Sequence, residues 1–230
     1  MAHTSTEHEV LAVVFQVGDV TSRKPTLNVL LWQRALDPER GKWSLPGGRL
    51  RADEDLTSSV RRQLAEKVDL REIAHLEQLA VFSDPQRVPG VRTIASTFLG
   101  LVPCPARPEL PPDTRWHPVN ALPPMAFDHG PMVAYAQARL VAKLSYTNIG
   151  FALAPQEFAL STLRDIYGGA LGYQVDATNL QRVLGRRGVI TPTGTTAHSG
   201  RSGGRPAALY RFTDTRLRVT DEFAALRPPG

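Results

Sequence analysis

The segment Gly47–Leu70, GGRLRADEDLTSSVRRQLAEKVDL, constrains what this chain can fold into more than any other stretch. Two adjacent glycines permit a tight backbone turn that bulkier residues resist. Leu56, Val60, Leu64 and Val68 then recur every four positions, so Asp53 to Val68 is expected to form an amphipathic helix with Asp53 as its N-cap. Such a helix must bury its apolar stripe against another layer, and strands flank it on both sides. Glu9–Val17 and Leu27–Gln33 are rich in Val, Leu and Phe, and Leu76–Phe82 and Thr93–Val102 read as further strands. Gly18–Pro25 and Arg34–Trp43 read as loops. Pro103–Pro124 holds eight of the 19 prolines and is expected to be loop and sheet edge. Val133, Ala136, Leu140 and Leu144 mark a second long helix starting near Asp128. Residues 1–145 are thus expected to form an α/β (α+β) sandwich with its own core.

The rest of the chain differs in type. Residues 146–154 read as a short link before a second domain at 155–230. Pro155–Tyr167 is expected to be helical, with Pro155 in the first turn and Phe158, Leu163 and Ile166 on one face. Asp176–Arg187 is expected to be another helix, with Leu180, Val183 and Leu184 inward. Gly188–Ile190 opens an extended segment, Thr191–Gly204 is rich in Thr, Ser and Gly, and Ala207–Phe212 returns as a strand. Two helices followed by a hairpin with a polar, basic tip is the order of a small winged helix-turn-helix domain.

Composition narrows the class. A hydrophobic fraction of 42% with 21% charged residues excludes a wholly disordered chain. No apolar run approaches the ~18 residues that span a bilayer. The opening MAHTSTEHEV lacks a basic cluster, so neither signal peptide nor anchor is expected, and the expected location is the cytoplasm. The lone Cys104 excludes an internal disulfide and a cysteine-based zinc site. The net charge of +5 says little until it is divided. Residues 1–145 carry 17 Lys+Arg against 16 Asp+Glu, and residues 146–230 carry 10 against 6. Between Arg182 and Arg218 there are eight arginines and one aspartate, a candidate phosphate-binding surface.

The glycine–helix segment resembles the Nudix box, a loop–helix–loop that gathers carboxylates from one helical face onto a divalent cation. That cation binds a pyrophosphate and activates water. Gly48, Glu54, Arg62, Leu64, Glu66 and Leu70 stand at the required spacing, behind Trp43-Ser44-Leu45-Pro46-Gly47 as the entry. Three positions depart from the pattern. Gln63 and Lys67 replace glutamates, and Asp69 replaces the closing glycine. Efficient hydrolysis is therefore not expected, no metal site is assigned and no cofactor is required. Lys67 can act as the charge partner of a phosphate in place of the metal.

Taken whole, the chain resembles the Nudix-related transcriptional regulators of NAD metabolism, the NrtR family. The matching segments are Leu76-Glu77-Gln78-Leu79 with Phe82, Leu122–His129, Leu140–Tyr146, Pro155–Leu160, Asn179–Arg182, Gly204-Arg205-Pro206 and Leu209–Phe212. The resemblance implies a homodimeric repressor of NAD biosynthesis or salvage genes, bound to palindromic double-stranded DNA. It also implies release by ADP-ribose, NAD or a related nucleotide held in the Nudix pocket. An active ADP-ribose pyrophosphatase with an accessory basic domain is the alternative, and a nucleotide sensor acting on a protein partner is a third reading.

Candidate effector contacts are Arg34, Trp43, Gly48, Arg49, Glu54, Glu66 and Lys67. The cations suit phosphate, and the two glutamates suit ribose hydroxyls or a weakly held metal. Trp43 suits either a stacked base or the core. Asp128 and His129 read as a helix start, with capping and a ligand role both open. Candidate DNA contacts are Asn179, Gln181 and Arg182 for base edges, with Arg186, Arg187, Arg201 and Arg205 for phosphates or the minor groove. Arg182→Ala is expected to weaken specific binding by about 1–3 kcal/mol and to relax sequence preference. Arg205→Ala should weaken binding to every sequence and flatten its salt dependence, as salt titrations on operator and random DNA would show.

Overall fold

The computed structural model describes residues 6–18, 20, 25–197 and 206–221. Arg201 and Arg205, and most of the Gly/Ser-rich stretch around them, lie outside these residues. The chain divides into two units, one comprising Met1–Gln16, Asn28–Val102 and Ala106–Arg139, the other Val17–Leu27, Pro103–Pro105 and Leu140–Gly230.

The first unit is built on a mixed sheet. Its elements are β1 (Glu7–Gly18), β2 (Thr26–Gln33), β3 (Trp43–Ser44), β4 (Gly47–Arg49), helix α1 (Leu56–Val68), β5 (His75–Phe82), β6 (Thr93–Leu101), β7 (Thr114–Pro118) and helix α2 (His129–Tyr146), of which the end of β1 from Val17, the start of β2 to Leu27 and α2 from Leu140 belong to the second unit. The order across the sheet is β3-β2-β1-β6-β5, with β4 also on β1 and β7 also on β2. β1 runs parallel to β6 in the register Glu7↔Thr93 to Phe15↔Leu101. That central position explains the near-continuous apolar run of β1, since Val10 to Val17, Gln16 included, are all buried. The proline-rich segment does contribute an edge strand, β7, paired antiparallel to β2.

The stripe expected from the four-residue period packs as expected. Val60, Leu64, Val68 and Leu70 form one cluster with Val10, Ala12, Val14, Leu30, Phe98 and Val102. The N-cap is Asp55 rather than Asp53. Asp55 Oδ1 accepts from Ser58 N at 2.7 Å, which moves the helix start two residues along the chain and contributes about 1 kcal/mol. At the other end Asp69 takes the left-handed conformation with φ 47°, a geometry that aspartate tolerates. The glycine-to-aspartate change thus preserves the backbone path that closes the segment.

The second unit contains a short 3-10 turn (Ile149–Ala152), β8 (Phe158–Ala159), α3 (Leu160–Leu171), α4 (Ala177–Arg186), β9 (Ile190–Thr196) and β10 (Ala208–Phe212), with a sheet of order β8-β10-β9. This is the winged helix order, with one correction. Pro155–Ala159 is not helical; Phe158 and Ala159 pair with Tyr210 and Leu209, and Phe158 packs on Phe212 at 5.4 Å between centroids. The helix instead runs past Gly168-Gly169 to Leu171, where Gly172 at φ 79° ends it. Gly169 is required by close packing, because a Cβ there would sit 2.8 Å from Val17 Cγ1. Residues 147–154, read from sequence as a link, are buried throughout. The Asn148 side chain donates to the carbonyls of Arg216 (2.8 Å) and Asp214 (3.2 Å) and accepts from Arg218 N, binding the segment after β10 to the end of α2.

Gly47 is the most constrained backbone position. At φ 156° it faces Leu11 on β1, and a Cβ there would fall 2.2 Å from the Val10 carbonyl oxygen. Gly47→Ala is expected to cost at least about 2 kcal/mol, from steric overlap together with backbone strain. A urea unfolding curve, compared with that of a surface alanine substitution, would measure it.

Candidate functional site

The entry to α1 is held from several sides. Ala12 N donates to the Pro46 carbonyl at 2.9 Å, Trp32 Nε1 donates to the Leu45 carbonyl at 3.1 Å, and Leu45 N donates to His129 Nδ1 at 3.0 Å. Since His129 Nδ1 accepts a backbone donor, its proton sits on Nε2. Burial, with help from Arg87 and Arg34, pushes its pKa down to about 3, so the ring is neutral. Its buried Nε2–H has no hydrogen-bond partner among the described residues. Of the two open readings for His129, this one reaches beyond capping, because the side chain positions the glycine turn.

The charged face of α1 is organised by Arg62. Its Nε donates to Glu54 Oε2 at 2.8 Å, Nη2 to Glu54 Oε1 at 2.6 Å and Nη1 to Glu66 Oε2 at 3.1 Å. Glu54 Oε1 also accepts from Arg51 N at 2.9 Å. The Arg62 fork, more than any other contact, holds the Glu54 carboxyl at about 2, well below its ordinary 4.5. The Gln63 carboxamide lies between Arg62 and the Arg49 carbonyl; with its oxygen toward Arg62 it accepts from Nη2 at 3.1 Å. Lys67 Nζ donates to the Gly47 carbonyl at 2.5 Å and stands 5.0 Å over the Trp32 ring. Burial lowers its pKa, the neighbouring charge of Arg34 adds to that, and Glu9 opposes it.

The sequence-derived candidates therefore divide. Lys67 sits on the carbonyl of Gly47, next to Gly48 in the chain, and feels the charge of Arg34, which donates to the Pro38 carbonyl at 3.0 Å and lies 4.9 Å over Phe127. A Cβ at Gly48 would meet the Gln63 side chain at 2.7 Å, so the glycine lets that amide lie flat on the turn. Arg49 points to solvent and pairs with Glu7 at 2.6 Å. Glu54 is committed to Arg62, and Glu66 is exposed with one bond to it. The Trp43 ring packs edge-on against His117 at 4.3 Å, and its backbone is bonded to Pro124 and Ala126.

Sequence reasoning missed a further charge cluster beside this region. Arg87, with its side chain 1% exposed, binds Asp128 through Nε (2.9 Å) and Nη2 (2.8 Å), and Glu9 through Nη1 at 2.6 Å. Nothing in the local sequence marks a loop arginine as buried; only the pairing of distant carboxylates does so. Among the described residues, no group of three or more His, Cys, Asp or Glu is placed to hold a metal ion.

In the second unit α4 is capped by Asp176, which accepts from Asn179 N at 2.7 Å, and it buries Leu180 and Leu184. Asn179, Arg182 and Arg186 are exposed, and Arg182 Nη2 donates to Asn179 Oδ1 at 2.7 Å. Gln181 Nε2 donates to Tyr210 Oη at 3.0 Å, which ties the helix to β10. Arg187 is engaged within the unit, bound to Asp221 at 2.6 Å and to the Ser145 carbonyl at 2.7 Å. Its guanidinium holds the chain after β10 in place.

Residues 8–136 match the model of the NUDIX domain family, and residues 150–212 match the NrtR DNA-binding winged helix domain. The chain is 32% identical over 193 residues, 81% of its length and 76% of the relative's, to the ADPR responsive transcriptional repressor NtrR of Acinetobacter baylyi. The chain belongs to the NrtR family. Its fold is similar to that of Shewanella oneidensis NrtR, with a TM-score of 0.74 at 29% identity over 90% of this chain and 94% of that one. It is also similar to the same NrtR complexed with a 27mer DNA, with a TM-score of 0.73 at 30% identity, covering 89% and 93%. Among the described residues of this NrtR-family chain, no helix is long and apolar enough to cross a membrane.

Because the folded-state pKa of Glu54 is depressed, the Arg62–Glu54 pair contributes stability above the ordinary pKa of 4.5. That contribution is lost as pH falls from 4.5 toward about 2. The difference in urea midpoint between the parent and Glu54→Gln should be constant above about pH 5, shrink below it and vanish near pH 2.

Proposed function

We propose that this chain is a transcriptional repressor whose winged helix binds operator DNA and whose Nudix-type unit binds ADP-ribose or a related nucleotide, with release from DNA as the result. The observation that carries this reading is the outward-facing Asn179–Arg182 pair on α4, in a chain similar along most of its length to a DNA-bound NrtR. An amide suits adenine and an arginine suits guanine in the major groove. Arg186, exposed on α4, is assigned to phosphate, whereas the pairing of Arg187 with Asp221 argues against that role for Arg187. Residues 1–145 are assigned to effector sensing and 155–230 to DNA, with 146–154 as the linker. A homodimer follows from the few base pairs that one winged helix can read. Two such domains about one helical turn apart, or a multiple of it, would read a palindrome. Genes of NAD biosynthesis or salvage are the proposed targets, in line with the family.

Hydrolysis is the competing activity, and the geometry speaks against it. Glu54 is bound at both oxygens by one guanidinium, and Gln63 and Lys67 carry no negative charge. A sensor that spares its ligand also keeps its signal. The ligand acts only through its differential affinity for the DNA-bound and free arrangements.

A gel shift on the chain's own upstream DNA, with and without ADP-ribose or NAD, tests the reading. The expected result is a retarded band that nucleotide dissolves, with no AMP formed when the protein is incubated with ADP-ribose and Mg²⁺. Rapid AMP production and no retarded band would establish the pyrophosphatase instead.

A further inference from the structure

The Nudix family implies a divalent cation in its box, and the residues of this box do not fit one. A hard dication takes six or more oxygen ligands, several of them charged. Here both Glu54 oxygens accept from Arg62, and one of them also accepts from Arg51 N. Glu66 faces Arg62 at 3.1 Å and Arg51 at 3.7 Å. Gln63 is neutral, and with its oxygen toward Arg62 it accepts from that guanidinium. The remaining position carries an ammonium group. Its seat is specific, on the carbonyl of Gly47, the glycine whose backbone is pressed onto β1.

We infer that Lys67, seated on the Gly47 carbonyl, is the resident cation of this pocket and binds the diphosphate of the effector without a divalent metal. The inference rests on the effector reading above and specifies its chemistry. An ammonium has three donors. One is used by Gly47, which leaves two for phosphate oxygens. The Trp32 face holds the stem and the charge in place. Arg34, stacked on Phe127, supplies a second positive charge close enough to act on Lys67 electrostatically. Two cations in one half-buried region repel each other, and the two carboxylates that act on Lys67, Glu9 and Glu66, are themselves bound by Arg87 and Arg62. An entering anion relieves that repulsion, so the unliganded pocket is prepared for a phosphate and not for another cation.

Two measurements test this. In the first, Mn²⁺ alone is titrated and followed by electron paramagnetic resonance. The parent is expected to bind no Mn²⁺ in this pocket, whereas Gln63→Glu combined with Lys67→Glu gains a site. In the second, ADP-ribose is titrated calorimetrically in EDTA and then in Mg²⁺. The parent's affinity should agree within about twofold between the two media. Lys67→Gln should weaken binding at least tenfold in both, and Lys67→Arg should recover most of the loss. An unchanged melting temperature for these variants separates lost binding from lost folding. Stoichiometric Mn²⁺ in the parent, a tenfold gain from Mg²⁺, or a Lys67→Gln protein that binds like the parent would each overturn the inference. Absence of ADP-ribose binding by the parent in both media overturns the effector reading as well, which distinguishes the two failures.

Discussion

One guanidinium organises the chemistry of the first unit. Arg62 grips both oxygens of Glu54 and one of Glu66, and its fork geometry makes this a set of charge-assisted bonds rather than a loose surface pair. The loop before α1 is thereby fixed to the helix, and the turn at Gly47-Gly48 is fixed to β1. The same bonds satisfy the carboxylates that would otherwise seek a cation. A box that retains Glu54, Arg62 and Glu66 therefore keeps its shape although Gln63 and Lys67 stand where two further carboxylates are expected. Shape and metal chemistry are separable because the first depends on Arg62 and the second on charge that is no longer present.

The second unit shows a similar division, between residues that hold α4 and residues left outward. Leu180 and Leu184 bury one side of α4, Gln181 bonds to Tyr210 on β10, and Arg187 is bound to Asp221 and the Ser145 carbonyl. These contacts set the helix and the strand beside it. Asn179, Arg182 and Arg186 are left outward. The Arg182–Asn179 bond orients the arginine before any ligand arrives, which lowers the entropy cost of a directed contact.

Much of the fold was legible because its signals are local. The four-residue period of α1, the β-branched run of β1 and the Asp176 cap of α4 each state a conformation within a few residues. The errors arose where a long-range partner outweighs the local preference. Pro155–Ala159 looked like a first helical turn, yet Phe158 gains more by packing on Phe212 and pairing with Tyr210. The helix expected to stop at Tyr167 runs on to Leu171, and Gly169 within it accommodates the close approach of Val17 and Pro25. Asp53 is expected as the cap of α1, yet the bond from the Ser58 amide makes it Asp55.

By itself the sequence determined two bodies of different type, a glycine turn feeding an amphipathic helix, and an arginine excess confined to the C-terminal part. Periodicity and charge placement are properties of the chain alone. Which charges are free was decided by tertiary structure. Glu54 and Arg187 look available in sequence but are consumed by Arg62 and Asp221, while Arg87 looks like a loop residue but is buried between Glu9 and Asp128. The physical reason is that a charged group out of water must find its counter-charge, and that partner is fixed by the fold and not by the sequence neighbours.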